Sequence, residues 1–466
     1  MSDFRSRQLK KNEKQTRRRE RRSGRPFGEG KKEDSMPERL RRIAAEQKAV
    51  SDWLPLDNAA LIFPASENAD MSSMFRVGAL LNEPIDPVEL QYAVNEVVPR
   101  FPGLCATLKG GFFRYYLEPS ATPLVVQEES EFPMRPIPLD TRHHMVRVLY
   151  YGNAVAAEFF HVATDGNGGI VFLNTLIACY LRRKGIFVGE GANCLDTRDR
   201  PRPEELSDSY KKVYDGKTKK DKRETKAYHM HGKKLPATML AVIQGILNAD
   251  ELNAAAKSRN LTVGELLTAV LAYAVDAERA FYMRGKKHPI VVNIPVNLRK
   301  VFPSETLRNF VAIMPVRVEC GSDFETIEKT VKEQFAHMRS EQYLRGYVNY
   351  NVNVEKNKLF VALPLPVKNV GMKAVLKLYS DRVTTTTFSN LGRIAAPKEF
   401  EGHVLRYDFY LGPNRCQLTN LCAAAYNNNV VLSFSRYRQE TGIEKYFFRK
   451  LSELGVSVTL ESNCEL

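Results

Sequence analysis

The alternation of apolar and polar positions predicts a chain that mixes β-strands and α-helices along most of its length. Residues 154–162 form a nearly continuous apolar run, and the Gly152-Asn153 pair before it is typical of a hairpin turn. We therefore predict two antiparallel strands at residues 145–151 and 154–162. Behind a glycine-rich turn, apolar side chains recur at helical spacing and predict a buried helix over residues 168–184.

The same patterns occur on both sides of this hairpin and give a coarse map of the chain. Apolar runs predict strands at residues 74–82, 112–117, 289–296, 310–318, 383–391, 404–411, 421–426 and 430–436. Helical spacing of apolar residues predicts helices at residues 86–100, 262–281, 324–345 and 442–454. Strands and helices are thus mixed in both halves, which predicts an α/β fold built from mixed sheets flanked by helices.

Charge divides the chain of 466 residues into four parts. Residues 1–34 hold thirteen Lys or Arg and six Asp or Glu, with few apolar side chains, so we predict a disordered basic tail over residues 1–35. Residues 196–235 are again charged, which predicts a crossover linker between an N-terminal lobe at residues 45–195 and a C-terminal lobe at residues 236–466. The tail is either an arm for nucleic acid or an anionic surface, or a solvated leader without a partner.

Composition narrows the class of protein further. The net charge is +15, and the part beyond the tail is still basic, which suits an anionic small molecule or an acidic partner. No apolar run reaches the ~20 residues of a membrane-spanning helix, and no apolar run at the N-terminus predicts a secretory signal. The seven cysteines are scattered and form no CxxC pair, which is typical of reduced thiols. We expect a cytoplasmic protein without a metal site.

The sharpest chemical signal is the segment from His161 to Gly166, which reads HVATDG and joins the predicted strand to the predicted helix. A neutral imidazole in this position accepts a proton from a hydroxyl, amine or thiol as that group attacks. Asp165 follows across a sharp turn, where a carboxylate holds the backbone through an ion pair rather than touching the reacting atoms. Gly166 permits a close backbone approach. The alternative is a core histidine followed by a capping aspartate and turn glycines.

These residues match the HxxxDG signature of the coenzyme A-dependent acyltransferase superfamily. That group includes chloramphenicol acetyltransferase, alcohol acetyltransferases and the condensation domains of nonribosomal peptide synthesis. Four further segments resemble the alcohol acetyltransferase-like branch and occur in the expected order. They are residues 53–60 (WLPLDNAA), 293–299 (NIPVNLR), 307–310 (LRNF) and 388–392 (FSNLG). The resemblance therefore extends over most of the chain beyond the tail.

The resemblance implies two chloramphenicol acetyltransferase-like lobes with a channel between them. It implies that His161 is the general base and that Asp165 has a structural role, supported by Gly166 and by an arginine of the other half. Arg299 is the candidate for that arginine, and Arg308 is the second choice.

The implied reaction moves an acyl or acetyl group from a thioester to an alcohol, amine or thiol. The thioester would be acyl-CoA or a phosphopantetheine thioester on a carrier protein, and no permanently bound cofactor is implied. Ser389 and Asn390 are candidate donors to the oxyanion or contacts for the acceptor, although the same pair also suits a simple turn. The surplus of positive charge is compatible with a phosphate-bearing donor.

Two departures from the family pattern and two alternative functions remain open. Many members of the superfamily have a histidine where this chain has Phe160. The DFGWG motif of its BAHD plant acyltransferases is also absent from this chain. One alternative is a condensation-domain-like module that binds or docks without turnover. The other is a binder of nucleic acid or anionic surfaces that acts through the basic tail. The competing pair His143-His144 lacks an aspartate and a glycine at the required spacing and is interpreted as strand-entry residues.

Overall fold

The computed structural model describes residues 53–464, apart from residues 68–71, 121, 131, 139–142, 190, 221–225, 237–238, 283–287, 379–381 and 413–416. The predicted basic tail therefore lies outside the described residues. The strands are β1 Leu54–Pro55, β2 Met74–Leu81, β3 Ala106–Gly110, β4 Tyr115–Pro119, β5 Gln127–Glu128, β6 Val146–Tyr151, β7 Ala154–Phe160, β8 Ala241–Asn248, β9 Ile290–Asn297, β10 Val311–Val318, β11 Thr386–Arg393, β12 Val404–Leu411, β13 Thr419–Tyr426, β14 Asn429–Arg436 and β15 Val458–Ser462.

The helices alternate with these strands and cover their faces. They are α1 Phe63–Ser66, α2 Pro87–Val97, α3 Gly166–Arg183, α4 Ser209–Val213, α5 Ala249–Ser258, α6 Val263–Tyr282, α7 Phe324–Met338, α8 Glu341–Lys356, α9 Lys358–Ala362, α10 Leu365–Leu378 and α11 Gly442–Glu453. The prediction of an α/β fold with mixed sheets is thus confirmed.

The strands form three sheets in the described part of the chain. The largest has the order β10-β9-β11-β13-β14-β8-β15, and the second has the order β12-β2-β7-β6-β5. A small sheet has the order β1-β4-β3. Strand β12 lies between the large-sheet strands β11 and β13 in sequence but pairs with β2, so the second half of the chain supplies an edge strand to the sheet that precedes the HxxxDG turn.

The hairpin before the HxxxDG turn forms as its sequence predicts. Gly152 has a φ of +54°, a conformation that glycine adopts without strain, and Tyr151 pairs with Ala154 across the turn. Strand β7 is buried on both faces: Val155 and Phe159 pack in one hydrophobic core, whereas Phe160 packs in the other. This burial explains why the strand is continuously apolar rather than alternating.

Side-chain caps fix where several helices begin. One such cap, at Ser340, divides a segment that was predicted to be a single helix. The predicted helix over residues 324–345 is wrong, because the chain forms two helices there, α7 and α8. The Ser340 side chain accepts a hydrogen bond from the Tyr343 amide and starts α8. Residues 339–342 are polar, and the next buried apolar residue, Leu344, follows Met338 by six positions, so the apolar period is interrupted at the break.

Several other elements differ from the map drawn from the sequence. The predicted strand at residues 112–117 begins only at Tyr115, because the turn between β3 and β4 occupies the residues before it. Strands β3, β8 and β15 and helices α5, α9 and α10 were not predicted. Strand β8 is flanked by β14 and β15, and such non-local pairing leaves little signal in a local window.

Candidate active site

The turn that carries His161 joins strand β7 to helix α3. The His161 backbone amide donates to the Ser73 carbonyl at 2.8 Å, which fixes the end of β7 beside the chain that enters β2. The imidazole lies between two aromatic rings. Phe63 stacks on it with ring centroids 4.9 Å apart, and Phe75 lies at 4.8 Å from the other side. The ring is partly buried and held in a defined plane.

Asn309 determines which nitrogen of His161 carries the proton. Its Nδ2 donates to the Asp57 carboxylate at 3.1 Å and to the His161 carbonyl at 2.8 Å. Both partners are acceptors, so the amide group of Asn309 has a fixed orientation and presents Oδ1 to His161 Nδ1 at 2.9 Å. Oδ1 only accepts, so Nδ1 must donate. The neutral ring therefore keeps a lone pair on Nε2.

The surroundings of His161 favour its neutral form. Burial lowers the pKa of His161 below its ordinary value of 6.5, because a buried imidazolium loses hydration. The hydrogen bond with Asn309 and the charge of Asp165 raise the pKa in the opposite direction but do not overcome burial. An imidazole that is neutral at physiological pH is the state that a general base requires.

Asp165 caps helix α3 and does not face His161 with a free oxygen. Its Oδ1 accepts from the amides of Asn167 and Gly168 at 3.1 and 3.2 Å, which caps the helix N-terminus. Its Oδ2 accepts from the Phe310 amide at 2.9 Å and from Arg299 Nη1 at 2.8 Å. The two bonds at Oδ2 join the HxxxDG turn to the segment before strand β10.

Arg299, the candidate partner named from the sequence, is in contact with Asp165 and is largely buried. Its Nε donates to the Thr306 carbonyl at 2.9 Å, and its Nη2 donates to the Arg308 carbonyl. The guanidinium thus ties together both ends of the loop between β9 and β10. Arg308, the second candidate, instead contacts a different carboxylate: its Nε lies 3.5 Å from Asp57 Oδ2.

Asp57 forms a second buried carboxylate behind His161, and the sequence analysis gave it no role. Its Oδ1 accepts from the Ala60 amide at 2.8 Å, and its Oδ2 faces Asn309 and Arg308. Burial raises the pKa of Asp57 to about 6, although Arg308 and Asn309 act to lower it. Asp57 and Asn309 lie in segments that the sequence analysis quoted only for resemblance, and no local pattern distinguishes them as site residues.

His161 lines a cavity of about 710 Å³ between the β2–β7 sheet and strands β9, β10 and β11. Its walls are mainly apolar, with Ile294, Ile313 and Leu391 among them. The basic side chains of Lys300, Arg339 and Arg393 also line it, and all three are exposed. Among the described residues that line the cavity, Asp165 is the acidic one, and it already forms an ion pair with Arg299.

Ser389 and Asn390 lie on strand β11 and line the same cavity as His161. The Asn390 Oδ1 accepts from the Gly392 amide at 2.7 Å, so this side chain shapes the bend at the end of the strand. Ser389 is partly buried and is one of the residues that line the cavity.

Close packing around the start of α3 explains the glycines after Asp165. A Cβ on Gly166 would lie 2.6 Å from a methyl carbon of Leu391, and one on Gly168 would lie 2.3 Å from the Leu307 carbonyl oxygen. Gly166 itself lines the cavity. Both halves of the chain therefore approach each other at this turn more closely than a side chain allows.

Within the described residues, no group of three or more His, Cys, Asp or Glu side chains is arranged to hold a metal ion. No helix among those residues has both the length and the apolar character required to cross a membrane. His144, of the competing pair, is buried, and its ring nitrogens lie near the carbonyls of Cys105 and Thr122.

Comparison with solved structures identifies the fold. The chain is similar to the first condensation domain of the CDA synthetase, at 17% identity and a TM-score of 0.54, covering 87% of this chain and 96% of that one. It is also similar to the starter condensation domain of rhizomide synthetase in complex with C8-CoA and Leu-SNAC, at 12% identity and a TM-score of 0.56, covering 87% and 95%.

An acetyltransferase has the same fold. The trichothecene 15-O-acetyltransferase from Fusarium sporotrichioides is 12% identical, with a TM-score of 0.55 and coverage of 87% of this chain and 97% of that one. No protein-family model and no curated protein sequence matches the chain.

The fold is therefore the two-lobed fold shared by condensation domains and an acetyltransferase. The resemblance drawn from the sequence is confirmed at the level of this superfamily fold. The structural neighbours include condensation, epimerization and acetyltransferase domains.

Proposed function

We propose that the protein is an acyltransferase that moves an acyl group from a thioester to an alcohol, amine or thiol, with His161 as the general base. The observation that carries the proposal is the Asn309–His161 hydrogen bond beside the cavity, because it leaves Nε2 as the nitrogen that accepts a proton. Burial keeps that nitrogen unprotonated at neutral pH. The fold shared with condensation and acetyltransferase domains supports the same class of reaction.

In the proposed reaction, Nε2 of His161 takes the proton of the acceptor as its oxygen, nitrogen or sulfur attacks the thioester carbonyl carbon. The carbonyl π electrons move to oxygen and form a tetrahedral oxyanion. When the carbonyl re-forms, the carbon–sulfur bond breaks and the thiolate takes the proton from the imidazolium, leaving as a thiol. Ser389 on the cavity wall is the proposed donor to the oxyanion. Asp165 and Arg299 act as positioning residues because their bonds hold the turn rather than the reacting atoms.

The basic residues that line the cavity support the proposal that the donor is a phosphate-bearing thioester. Lys300 and Arg393 place positive charge at a cavity whose acid is already paired, whereas Arg339 pairs with Glu265. Lys and Arg form charge-assisted hydrogen bonds with phosphate groups, and both coenzyme A and phosphopantetheine carry phosphate. The proposed co-substrate is acyl-CoA or a carrier-protein thioester, and no metal takes part in the proposed steps. Action in the cytoplasm remains a prediction that cell fractionation tests.

The test is release of free thiol from a panel of acyl-CoA donors, from acetyl to palmitoyl, in the presence of pooled alcohols and amines. We expect acceptor-dependent thiol release and a new ester or amide by mass spectrometry. His161→Ala should lower kcat by about 10²–10⁴-fold, the range that a general base contributes. His143→Ala is the matched control, because its side chain is exposed and does not line the cavity.

Turnover by His161→Ala at the rate of the unaltered protein would refute the proposed base. Tight binding of acyl-CoA with no product over the whole acceptor panel would instead favour a docking module without turnover. Thermal unfolding of both variants shows whether a loss of rate reflects the lost imidazole or a lost fold.

A further inference from the structure

A continuous surface of exposed apolar side chains covers the turn between β3 and β4 and the helical segment that follows α8. We call this surface the apolar band. Two of its aromatic side chains are at least half exposed: Phe112 is 71% exposed and Trp53 is 50% exposed. Its aliphatic members come from the segment around α10. The band consists of Trp53, Phe112, Phe113, Leu363, Val367 and Val370.

Hydrogen bonds show that the aromatic and aliphatic parts form one surface. The Leu365 amide donates to the Phe112 carbonyl at 2.9 Å, and Lys368 Nζ donates to the Phe113 carbonyl at 2.8 Å. Val367 and Val370 are three residues apart on α10 and therefore share a helix face. An open groove of about 690 Å³ runs between the aromatic rings and the end of α9.

The charges around the apolar band are all of one sign in the helical part. Residues 357–380 contain four lysines and no acidic residue. Lys358 and Lys373 are exposed, and Arg114 lies beside the two phenylalanines. Burial, and to a lesser extent the nearby charge of Arg114, lowers the pKa of Lys368. The helical side of the apolar band therefore has a basic border, whereas Glu118, paired with Lys109, lines the groove on the side of the aromatic rings.

We propose that the apolar band docks on a membrane surface that contains anionic phospholipids. Exposed Trp, Phe and aliphatic side chains enter the headgroup boundary, while lysines beside them contact anionic headgroups. A protein partner fits less well, because Lys is depleted from protein–protein interfaces whereas it is frequent in segments that bind anionic lipid. Of the four cationic residues named beside the apolar band, three are lysines and one is Arg114.

Docking in this way would place the bilayer close to one wall of the catalytic cavity. Helix α10 packs against α1, and Phe63 of α1 both stacks on His161 and lines the cavity. An acyl chain or a lipid acceptor would then have a short path from the bilayer to the imidazole. This consequence rests on the proposed acyltransferase function, whereas the docking itself does not.

The chain contains one tryptophan, Trp53, and this residue lies in the apolar band. Its fluorescence therefore reports the proposed contact in the full chain without any substitution. Vesicles of phosphatidylcholine with phosphatidylserine are added, in one series with brominated phosphatidylcholine. We expect the emission to shift to shorter wavelength and to be quenched by the brominated lipid, with a weaker response to vesicles of phosphatidylcholine alone.

The double variant Phe112→Ser/Phe113→Ser should lower the vesicle partition coefficient by about 10-fold or more, because two exposed rings no longer enter the bilayer. The matched control is Phe187→Ser/Phe281→Ser, which removes two rings that are 81% and 74% exposed outside the apolar band. The basic N-terminal residues are the same in both variants, so any contribution they make to binding cancels in the comparison.

Three results would overturn the proposal. Sedimentation with vesicles but no change in Trp53 emission would assign binding to another part of the chain. A Trp53 signal that changes with protein concentration and not with vesicles would indicate self-association through the apolar band. Emission that is already blue-shifted in buffer and indifferent to vesicles would show that the protein itself covers the band. Loss of acyltransferase activity alone would leave the vesicle result unchanged, so the two proposals fail separately.

Discussion

Asn309 Oδ1 lies 2.9 Å from His161 Nδ1, while the amide group of the same side chain donates to Asp57 and to the His161 carbonyl. Asn309, which precedes strand β10, thus contacts both the backbone carbonyl and the imidazole of His161, the residue that follows strand β7. The bond fixes the tautomer of the imidazole across the junction of the two halves. Asn309 is therefore a positioning residue for the proposed base.

Substitution of Asn309 by Ala should reduce kcat without abolishing binding of the thioester. The ring then exchanges between tautomers and orientations, so only part of the population presents a lone pair at Nε2. We expect a fall in kcat of about 10–100-fold, within the contribution of a positioned base, and a much smaller change in KM. The split between kcat and KM is measured by initial rates over a range of thioester concentrations.

Asn309→Asp provides the companion test. Its second carboxyl oxygen would face the Asp57 carboxylate and the His161 carbonyl, which both accept, so the new carboxyl should keep a proton and still accept from Nδ1 with its other oxygen. This variant should therefore retain more of kcat than Asn309→Ala. Equal losses of kcat in the two variants would show that Asn309 does not act through His161.

The proposed activity should fall as the pH drops through the pKa of His161. Burial lowers this pKa below 6.5, so the imidazole remains neutral at pH 7 and becomes protonated only in more acidic solution. Protonation removes the lone pair at Nε2 and stops proton transfer. The plot of kcat/KM against pH should show an acid limb with a midpoint below 6.5. A midpoint above 7 would contradict the buried, neutral base.

The strand–turn–helix unit around His161 was predictable because its signals are local. A continuous apolar run, a Gly-Asn turn and a helical period lie within about thirty residues, and each element forms close to the expected bounds. The resemblance also named Arg299 as the candidate partner of Asp165, and the structure places Nη1 2.8 Å from the carboxylate. Short-range pattern and motif together thus located the turn and one contact across the halves.

The remaining site residues were not predictable because they depend on long-range packing. Asp57 and Asn309 are brought together by the fold across most of the chain, and neither lies in a pattern of charged residues. The pairing of β12 with β2 is equally non-local. The break between α7 and α8, by contrast, has a local signal, because residues 339–342 are polar and Ser340 caps α8, and the prediction of one helix overlooked it.

Asp57 should make stability depend on pH in a defined direction. Its folded pKa is about 6 against an ordinary value of 3.8, so between these values the folded state binds more protons than the unfolded state. The stability from this group is full below pH 3.8 and is lost as the pH rises to about 6. At 1.36 kcal/mol per pKa unit, the free energy of unfolding should lose roughly 3 kcal/mol from this residue.

The measurement is the difference in urea unfolding free energy between the unaltered protein and Asp57→Asn, which removes the titration. The free energy of unfolding of the unaltered protein, relative to that of Asp57→Asn, should fall as the pH rises from 4 to about 6 and then stay level. A difference that is constant over this interval would show that Asp57 is ionised at its ordinary pKa in the folded protein.

Arg299→Lys should be nearly as damaging as Arg299→Ala. The guanidinium contacts Asp165, the Thr306 carbonyl and the Arg308 carbonyl at once, whereas an ammonium group cannot match this planar arrangement. Removing one partner of a buried pair costs about 3–5 kcal/mol, so chemical unfolding should detect both variants. Arg198→Lys is the matched control, because its side chain is 82% exposed and its pairing with Asp196 contributes little. Full stability in Arg299→Lys would show that a positive charge alone suffices there.

Gly168→Ala should destabilise the protein, whereas the same change at Gly371 should not. A Cβ on Gly168 would lie 2.1 Å from Thr164 Oγ1 and 2.3 Å from the Leu307 carbonyl oxygen, so the turn after His161 would have to separate from the segment before Asn309. We expect a loss of about 1–3 kcal/mol and a fall in kcat, because that separation also lengthens the Asn309–His161 contact. Gly371 lies inside α10 with nothing within 4 Å of its Cβ position, so alanine there should stabilise the helix by about 0.5–1 kcal/mol. Thermal unfolding and initial rates distinguish the two, and equal kcat in both variants would show that the close approach at Gly168 does not position His161.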